Sequence, residues 1–256
     1  MKKRNYIVVI VGGGASGLAA AVELKMSSPE LNVLIIEKMA EPARKLRATG
    51  SGRCNITNTT AAGFSRIMEF FTRIGLVTRA YENGLVYPYS ESAADVAELL
   101  ISRAKSLGVK FCCGEEVLCI KKDSKFEIES VYKDEKGEHK VITEADYIML
   151  ATGGKAGPTY GTTGDGYRLA RELGHSIVTA VPVLTGVECK EWEDGAISLG
   201  GTRMQGVVSL FKKSAGDTPI FQEAGELQFT KYGLSGICVY NMRTISYLSH
   251  MSLVYE

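Results

Sequence analysis

Three glycines, Gly12, Gly14 and Gly17, stand at GxGxxG spacing directly after the apolar run Ile7 to Val11, and an acid, Glu37, ends a second apolar run, Val33 to Ile36. Each glycine answers a different demand: a tight strand-to-helix turn at Gly12, close main-chain approach to a pyrophosphate at Gly14, and close helix-to-strand packing at Gly17. The first-turn N–H groups of the helix that follows have no partner inside it, and with the helix dipole they make an anion site. Glu37, at the carboxyl end of its strand, can accept hydrogen bonds from both hydroxyls of a ribose and disfavours a 2'-phosphate. The chemistry is the binding of an adenine dinucleotide, with NADP disfavoured and FAD and NAD both open.

Directly after the acid, the segment Lys38 to Thr60 loses apolar periodicity and fills with Gly, Ser, Thr, Asn and three arginines. A connection of that length in a compact domain usually carries function. Within it, Arg44, Lys45, Arg47 and Arg53 can screen pyrophosphate charge, and Gly50 and Gly52 allow close backbone approach. Asn55, Thr57 and Asn58 offer hydrogen bonds to a heterocycle edge. Two more glycine-rich turns follow later, Ala151-Thr152-Gly153-Gly154 and Thr162-Thr163-Gly164-Asp165-Gly166. The Gly-Gly-Lys at 153–155 is not a P-loop, because the upstream glycine and the following Ser or Thr are missing.

The elements that must position these residues read as an α/β, Rossmann-like domain with a β-meander. The first helix runs from Ser16 to about Met26, with Ala19, Ala20 and Ala21 keeping it slim against the sheet. Phe64 to Ile74 reads as a helix, Leu85 to Tyr87 as a short strand, and Ser92 with Asp95 as the N-cap of a helix reaching about Leu107. Val109 to Cys113 is a core strand. A meander follows, with strands at Val117 to Lys121, Lys125 to Tyr132 and Lys140 to Thr143, before Tyr147 to Leu150 returns to the parallel sheet. The turn at Gly164 opens a helix to about Leu173. Beyond Val181 the texture changes to short alternating stretches, so the expected division is an FAD- or NAD-binding domain at 1–182 and a β-rich domain at 183–256. In the latter, Leu227 to Ile237 reads as strand and a helix begins near Val239.

At 256 residues the chain can bury a real core. A net charge of +1 and a pI near 7.6 make no case for nucleic acid or an anionic membrane. The six cysteines show no CxxC pair and no metal-ligand spacing, and the three histidines are scattered, so no metal is expected. Reduced thiols in a cytoplasmic protein are the plain reading. Met1 to Arg4 followed by apolar residues has the look of a secretory signal, but the three adjacent glycines at 12–14 interrupt it. No other segment approaches the roughly 20 apolar residues that a membrane span needs. The sequons at Asn55 and Asn58 therefore carry no weight.

These motifs resemble the BaiN-like family of FAD-dependent oxidoreductases, which includes proteins labelled aminoacetone oxidases. The matching pieces are GGGASGLAAA at 12–21, Glu37-Lys38, RKLRATGSGRCNITN at 44–58, VYPYS at 86–90, ATGG at 151–154, TGDGYRLARELGH at 163–175 and FTKYGLSG at 229–236. They occur in family order over nearly the whole chain. The pairing of ATGG with TGDG is also similar to the wider fumarate-reductase-like flavoproteins.

The resemblance implies FAD as cofactor, with NAD(P)H as a transient reductant and a small molecule as substrate. It places the pyrophosphate at Gly12, Gly14, Ala15, Ser16 and Gly17, and the adenosine ribose at Glu37 and Lys38. It puts adenine against the main chain of Val117. Arg44, Lys45, Leu46, Gly52, Arg53, Cys54 and Asn55 would run beside the ribityl chain and isoalloxazine, and Ala151, Thr152 and Gly153 would close over the nucleotide half. Asp165 either caps its helix or faces the flavin. Because family members continue past Glu256, the β-rich inserted domain is expected to be incomplete, and the rival expectation is a nucleotide-binding chain without catalysis.

Single residues carry less. Cys54 reads as a structural thiol, Cys112 and Cys113 as alternating strand residues, and His175 as a capping or packing residue. Tyr87 and Tyr160 could polarise a substrate carbonyl. No catalytic acid or base is named by any pattern.

Overall fold

The computed structural model describes residues 2–182, 184–189, 199–211, 218–242 and 253–255. The chain divides into two compact units, Met1–Val178 and Thr179–Glu256.

The first unit is built on a six-stranded sheet. Four strands run parallel, in the order β6 (Lys110–Cys113), β2 (Val33–Glu37), β1 (Lys2–Val11) and β9 (Gly137–Leu150). Antiparallel β8 (Phe126–Asp134) and β7 (Glu115–Lys122) extend the sheet from β9. On one face, Val8, Ile10, Val33 and Ile35 pack against α1 (Ala15–Ser27) through Leu18, Ala21 and Val22, and against α4 (Ala93–Ser106) through Val96, Ala97 and Leu100. The other face carries Val9, Val11, Leu34 and Ile36. They are covered by Val117, Ile120 and Ile128 of the meander and by Leu169 of α5 (Asp165–Glu172). Runs apolar at every position, such as 8–11 and 33–36, are the mark of strands buried on both faces.

The meander corrects one expectation. Lys140 to Thr143 and Tyr147 to Leu150 are not separate strands but parts of β9, a single strand of 14 residues. Residues 141–145 pair with β8 on one side and β1 on the other, and no Gly or Pro interrupts Glu144-Ala145-Asp146. The same pairing draws β1 out to Lys2, five residues ahead of the apolar run that marks it in sequence.

α4 starts where its cap predicts, the Ser92 Oγ accepting from the Asp95 N–H at 3.2 Å. The 38–60 segment is more structured than its composition implies. It holds α2 (Arg44–Arg47), a 3-10 turn at Thr49–Gly52 and β3 (Thr57–Asn58). β3 joins β4 (Thr78–Ala80) and β5 (Leu85–Pro88) in a small antiparallel sheet ordered β3-β5-β4, and α3 (Phe64–Arg73) lies between β3 and β4 in the chain.

The second unit contains a five-stranded antiparallel sheet, β10 (Val187–Glu188), β13 (Gly233–Ser235), β12 (Phe221–Thr230), β11 (Arg203–Leu210) and β14 (Leu253–Tyr255), in that order. Val208, Leu210, Leu227 and Leu234 pack with Cys238, Val239 and Met242 of a helical stretch at 237–242. The strand expected over 227–237 is thus two strands joined by a turn, and the helix begins two residues before Val239.

Candidate functional site: a cleft at the first glycine turn

At the end of β1 the chain turns through Gly12, whose φ of +108° lies in a region that favours glycine. A Cβ there would stand 2.5 Å from the Ala151 carbonyl oxygen, and one at Gly17 would stand 2.0 Å from the Gly12 carbonyl oxygen. Both positions are closed to any side chain. Gly14 differs, because a Cβ on it would meet nothing within 4 Å. It is the N-cap of α1, which has neither a side-chain cap nor an acid in its first turn. Glu37 turns its carboxylate to this turn, accepting the Gly13 N–H at 2.7 Å and the Met39 N–H at 2.8 Å. A carboxylate has about four acceptor positions, so two stay available for hydroxyls.

The cleft in front of the turn has a volume of about 340 Å³. Fourteen of the expected residues line it: Gly12, Gly14, Ala15, Ser16, Glu37, Lys38, Arg44, Lys45, Leu46, Val117, Ala151, Thr152, Gly153 and Asp165. Lys38 spans from the end of β2 to the start of α5, where its ammonium pairs with Asp165 and donates to the Thr163 hydroxyl at 2.7 Å. Lys45 donates to the Ala156 carbonyl at 2.9 Å, tying α2 to the segment after the Ala151–Gly154 turn. That turn is locked against α5, since a Cβ on Gly166 would lie 2.3 Å from the Thr152 hydroxyl. Val117 sits at an irregularity in the β7–β8 pairing, its carbonyl reached by Arg168 at 3.4 Å. Close by, the buried Glu115 takes both Arg4 guanidinium N–H groups at 2.9 Å and the Ser130 hydroxyl at 2.6 Å, fixing the start of β7 to β1 and β8.

The other five expected residues fall elsewhere. Gly17 packs beneath the turn. Cys54 and Asn55 line a second, wider cleft of about 960 Å³, which shares Ala15, Ser16, Leu46 and Thr49 with the first and runs on to Phe70 and Phe71 of α3. Gly52 and Arg53 line neither cleft. Arg53 pairs instead with Glu91 at 3.0 Å and lies over the Tyr87 ring at 4.5 Å, which also occupies Tyr87. Arg47 pairs with Glu98 at 2.7 Å. Two of the four cations expected to screen phosphate are therefore neutralised by carboxylates of α4 and the turn before it. Arg44 alone among those four makes no hydrogen bond or ion pair with the described residues and lines the first cleft.

Asp165 does not cap α5, whose N-cap is Gly164. Burial would push its carboxyl up, but the Lys38 ammonium and the Thr163 hydroxyl outweigh it and hold the group below the usual carboxylate value. Burial pushes the Cys54 thiol up, against a hydrogen bond with Thr49, and the side chain is only 4% exposed. That is the environment of an inert thiol. The His175 main-chain N–H closes the end of α5 on the Ala170 carbonyl.

A model of the HI0933-like protein Rossmann domain matches residues 6–66 and 64–227. The chain belongs to the HI0933-like family. These are the FAD flavoproteins whose motifs the sequence carries, and the match takes in the glycine turn, the acid and the 44–58 segment. The chain is 34% identical over 253 residues to the 3-dehydro-bile acid delta(4,6)-reductase of Clostridium scindens, an alignment covering 91% of this chain and 58% of that protein. It is 25% identical to the ribosomal RNA dihydrouridine synthase of Escherichia coli, over 92% of this chain and 60% of the relative. The chain thus spans somewhat over half the length of these relatives. Among solved structures, Thermovibrio ammonificans THI4 aligns with a TM-score of 0.45 and 20% identity over 58% of each chain.

In this HI0933-like chain the cleft fits the diphosphate and ribose of FAD on structural grounds alone. Open space over Gly14, uncapped N–H groups at the start of α1 and a carboxylate with spare acceptor capacity stand together. Sequence reasoning missed Met39, Glu41, Thr49, Glu115, Glu116, Gly161 and Thr162, which also line the cleft. Met39 had a signal, lying two residues beyond the acid, whereas Glu115 could be found only through its distant partner Arg4.

Proposed function

We propose that this chain forms the FAD-binding part of a flavin-dependent oxidoreductase that moves a hydride between a reductant such as NAD(P)H and a small organic substrate carrying a conjugated C=C bond. The observation that carries the reading is the cradle at Gly14, where space, unpaired N–H groups and an acid converge. Bound FAD would supply two-electron hydride chemistry. The protein's own residues bind and orient: the α1 N–H groups take the diphosphate, Arg44 adds a cation, Glu37 accepts ribose hydroxyls, and the Val117 main chain faces adenine. Cys54 and Asn55 place the ring end of the cofactor toward the second cleft.

The named relatives support the C=C substrate, one being a reductase and the other making dihydrouridine, which is uridine with one C=C bond reduced. The near-neutral charge supports a small molecule over nucleic acid. No described helix is long and apolar enough to cross a membrane. The six cysteines, none in a disulfide, support a reducing compartment such as the cytoplasm.

The test is the visible spectrum of the purified protein, with mass spectrometry of any ligand released on denaturation. A yellow protein that releases FAD and bleaches under NADH or NADPH without oxygen is expected. A colourless protein that gains no thermal stability from added FAD overturns the proposal.

A further inference from the structure

The segment 49–54 bends through four left-handed residues, Gly50 (φ +57°), Ser51 (+56°), Gly52 (+86°) and Cys54 (+59°). Two of them carry side chains that resist this conformation, and strained backbone persists only where its surroundings over-determine it. The base of the segment is tied to β5, with the Asn55 amide on the Val86 carbonyl at 3.3 Å and the Ile56 N–H on the same carbonyl at 2.8 Å. Its outer side is held by carboxylates from one place. Arg47 reaches Glu98 within α4, and Arg53 reaches Glu91, whose N–H is itself bonded to the Pro88 carbonyl just before the Ser92 cap. Glu91 also accepts the Tyr81 hydroxyl, adopts a left-handed conformation of its own (φ +49°), and holds the Arg53 guanidinium over Tyr87.

We propose that Glu91 and Glu98 are positioning residues that clamp the 44–55 segment from α4 and the turn before it, keeping Cys54 and Asn55 at the wall of the second cleft. Arg47 and Arg53 are then the handles of that clamp and not phosphate ligands. The purpose of the clamp rests on the flavin reading; its existence does not.

The cofactor-free protein is treated with N-ethylmaleimide and its labelled peptides are quantified by mass spectrometry, with exposed Cys113 and buried Cys238 of the second unit as references. Labelling of Cys54 is expected to rise several-fold in Glu91→Ala, and about tenfold in Glu91→Ala/Glu98→Ala, as local opening replaces protection. Cys238 stays protected, and the exchanged pair Arg53→Glu/Glu91→Arg restores protection of Cys54. Equal protection of Cys54 in the double variant and wild type overturns the clamp. If Glu91→Ala exposes Cys238 as well, Glu91→Gln decides, with Cys54 exposed alone supporting the clamp and both cysteines protected overturning it. Added FAD gives the second readout, a weaker Kd in the double variant. A wild-type protein that takes up no FAD overturns the proposed function and leaves the labelling result standing.

Discussion

The turn at 12–17 and the segment at 44–55 both bend the backbone against the same cleft, yet they hold their shapes by opposite means. In the turn, main chain touches main chain, and the contacts at Gly12 and Gly17 exclude any side chain. In the segment, main-chain hydrogen bonds such as Cys54 N–H to the Thr49 carbonyl shape the bends, and side chains fix them to their surroundings, through Lys45 to Ala156, Arg47 to Glu98 and Arg53 to Glu91. A shape made by excluded volume is stiff and intolerant. A shape made by partly exposed ion pairs is adjustable, because each such pair contributes only about 0–1 kcal/mol.

The contrast is sharpest at Gly17. Gly17→Ala puts a methyl 2.0 Å from the Gly12 carbonyl oxygen, and urea unfolding should show a loss of more than about 3 kcal/mol. A loss below 1 kcal/mol would mean that the turn can yield as the segment does. Gly14→Ala separates packing from binding within the same turn. Stability should stay within about 0.5 kcal/mol of wild type, while FAD affinity measured by titration should drop at least about tenfold, or ~1.4 kcal/mol.

Opposite behaviour is expected in the segment, where Ser51→Gly relieves a left-handed residue and should raise stability by up to about 1 kcal/mol in the same urea experiment. A destabilised Ser51→Gly would show that the segment, too, is packed against its backbone. The smallest effect concerns the strap between Lys38 and Asp165. The Asp165 carboxyl is held low in the folded protein, so its contribution is complete above the ordinary carboxylate pKa and disappears as pH falls through the lowered folded value. Thermal unfolding should therefore find Asp165→Asn less stable than wild type at neutral pH, with the two converging in acid. A difference that persists unchanged at low pH would remove the ion pair as its cause.

Legibility follows the same division. The parallel strands, α1 and the Ser92 cap of α4 are readable because apolar runs and cap chemistry are local signals. α2 was not, being four residues long with no side-chain cap and with Ala43 left-handed before it. The continuity of β9 is not readable, because strand pairing on both of its edges, and not any local pattern, makes it one strand. Residue types likewise showed which cations stand near the acid but not where each points. By type and place Arg47 and Arg53 can screen pyrophosphate charge, and the structure pairs them with Glu98 and Glu91.

The sequence alone determined the glycine turn, the acid that follows it and the family whose motifs run along the chain, because these depend on backbone sterics and residue identity over short spans. Only the tertiary structure decided which side chains face the cleft, how Asp165 came to hold Lys38 instead of capping its helix, and how α4 and the turn before it came to hold the 44–55 segment. Those outcomes depend on partners far apart in the chain, such as Arg47 with Glu98 and Lys38 with Asp165. Such partners meet only once the sheet and its helices are packed.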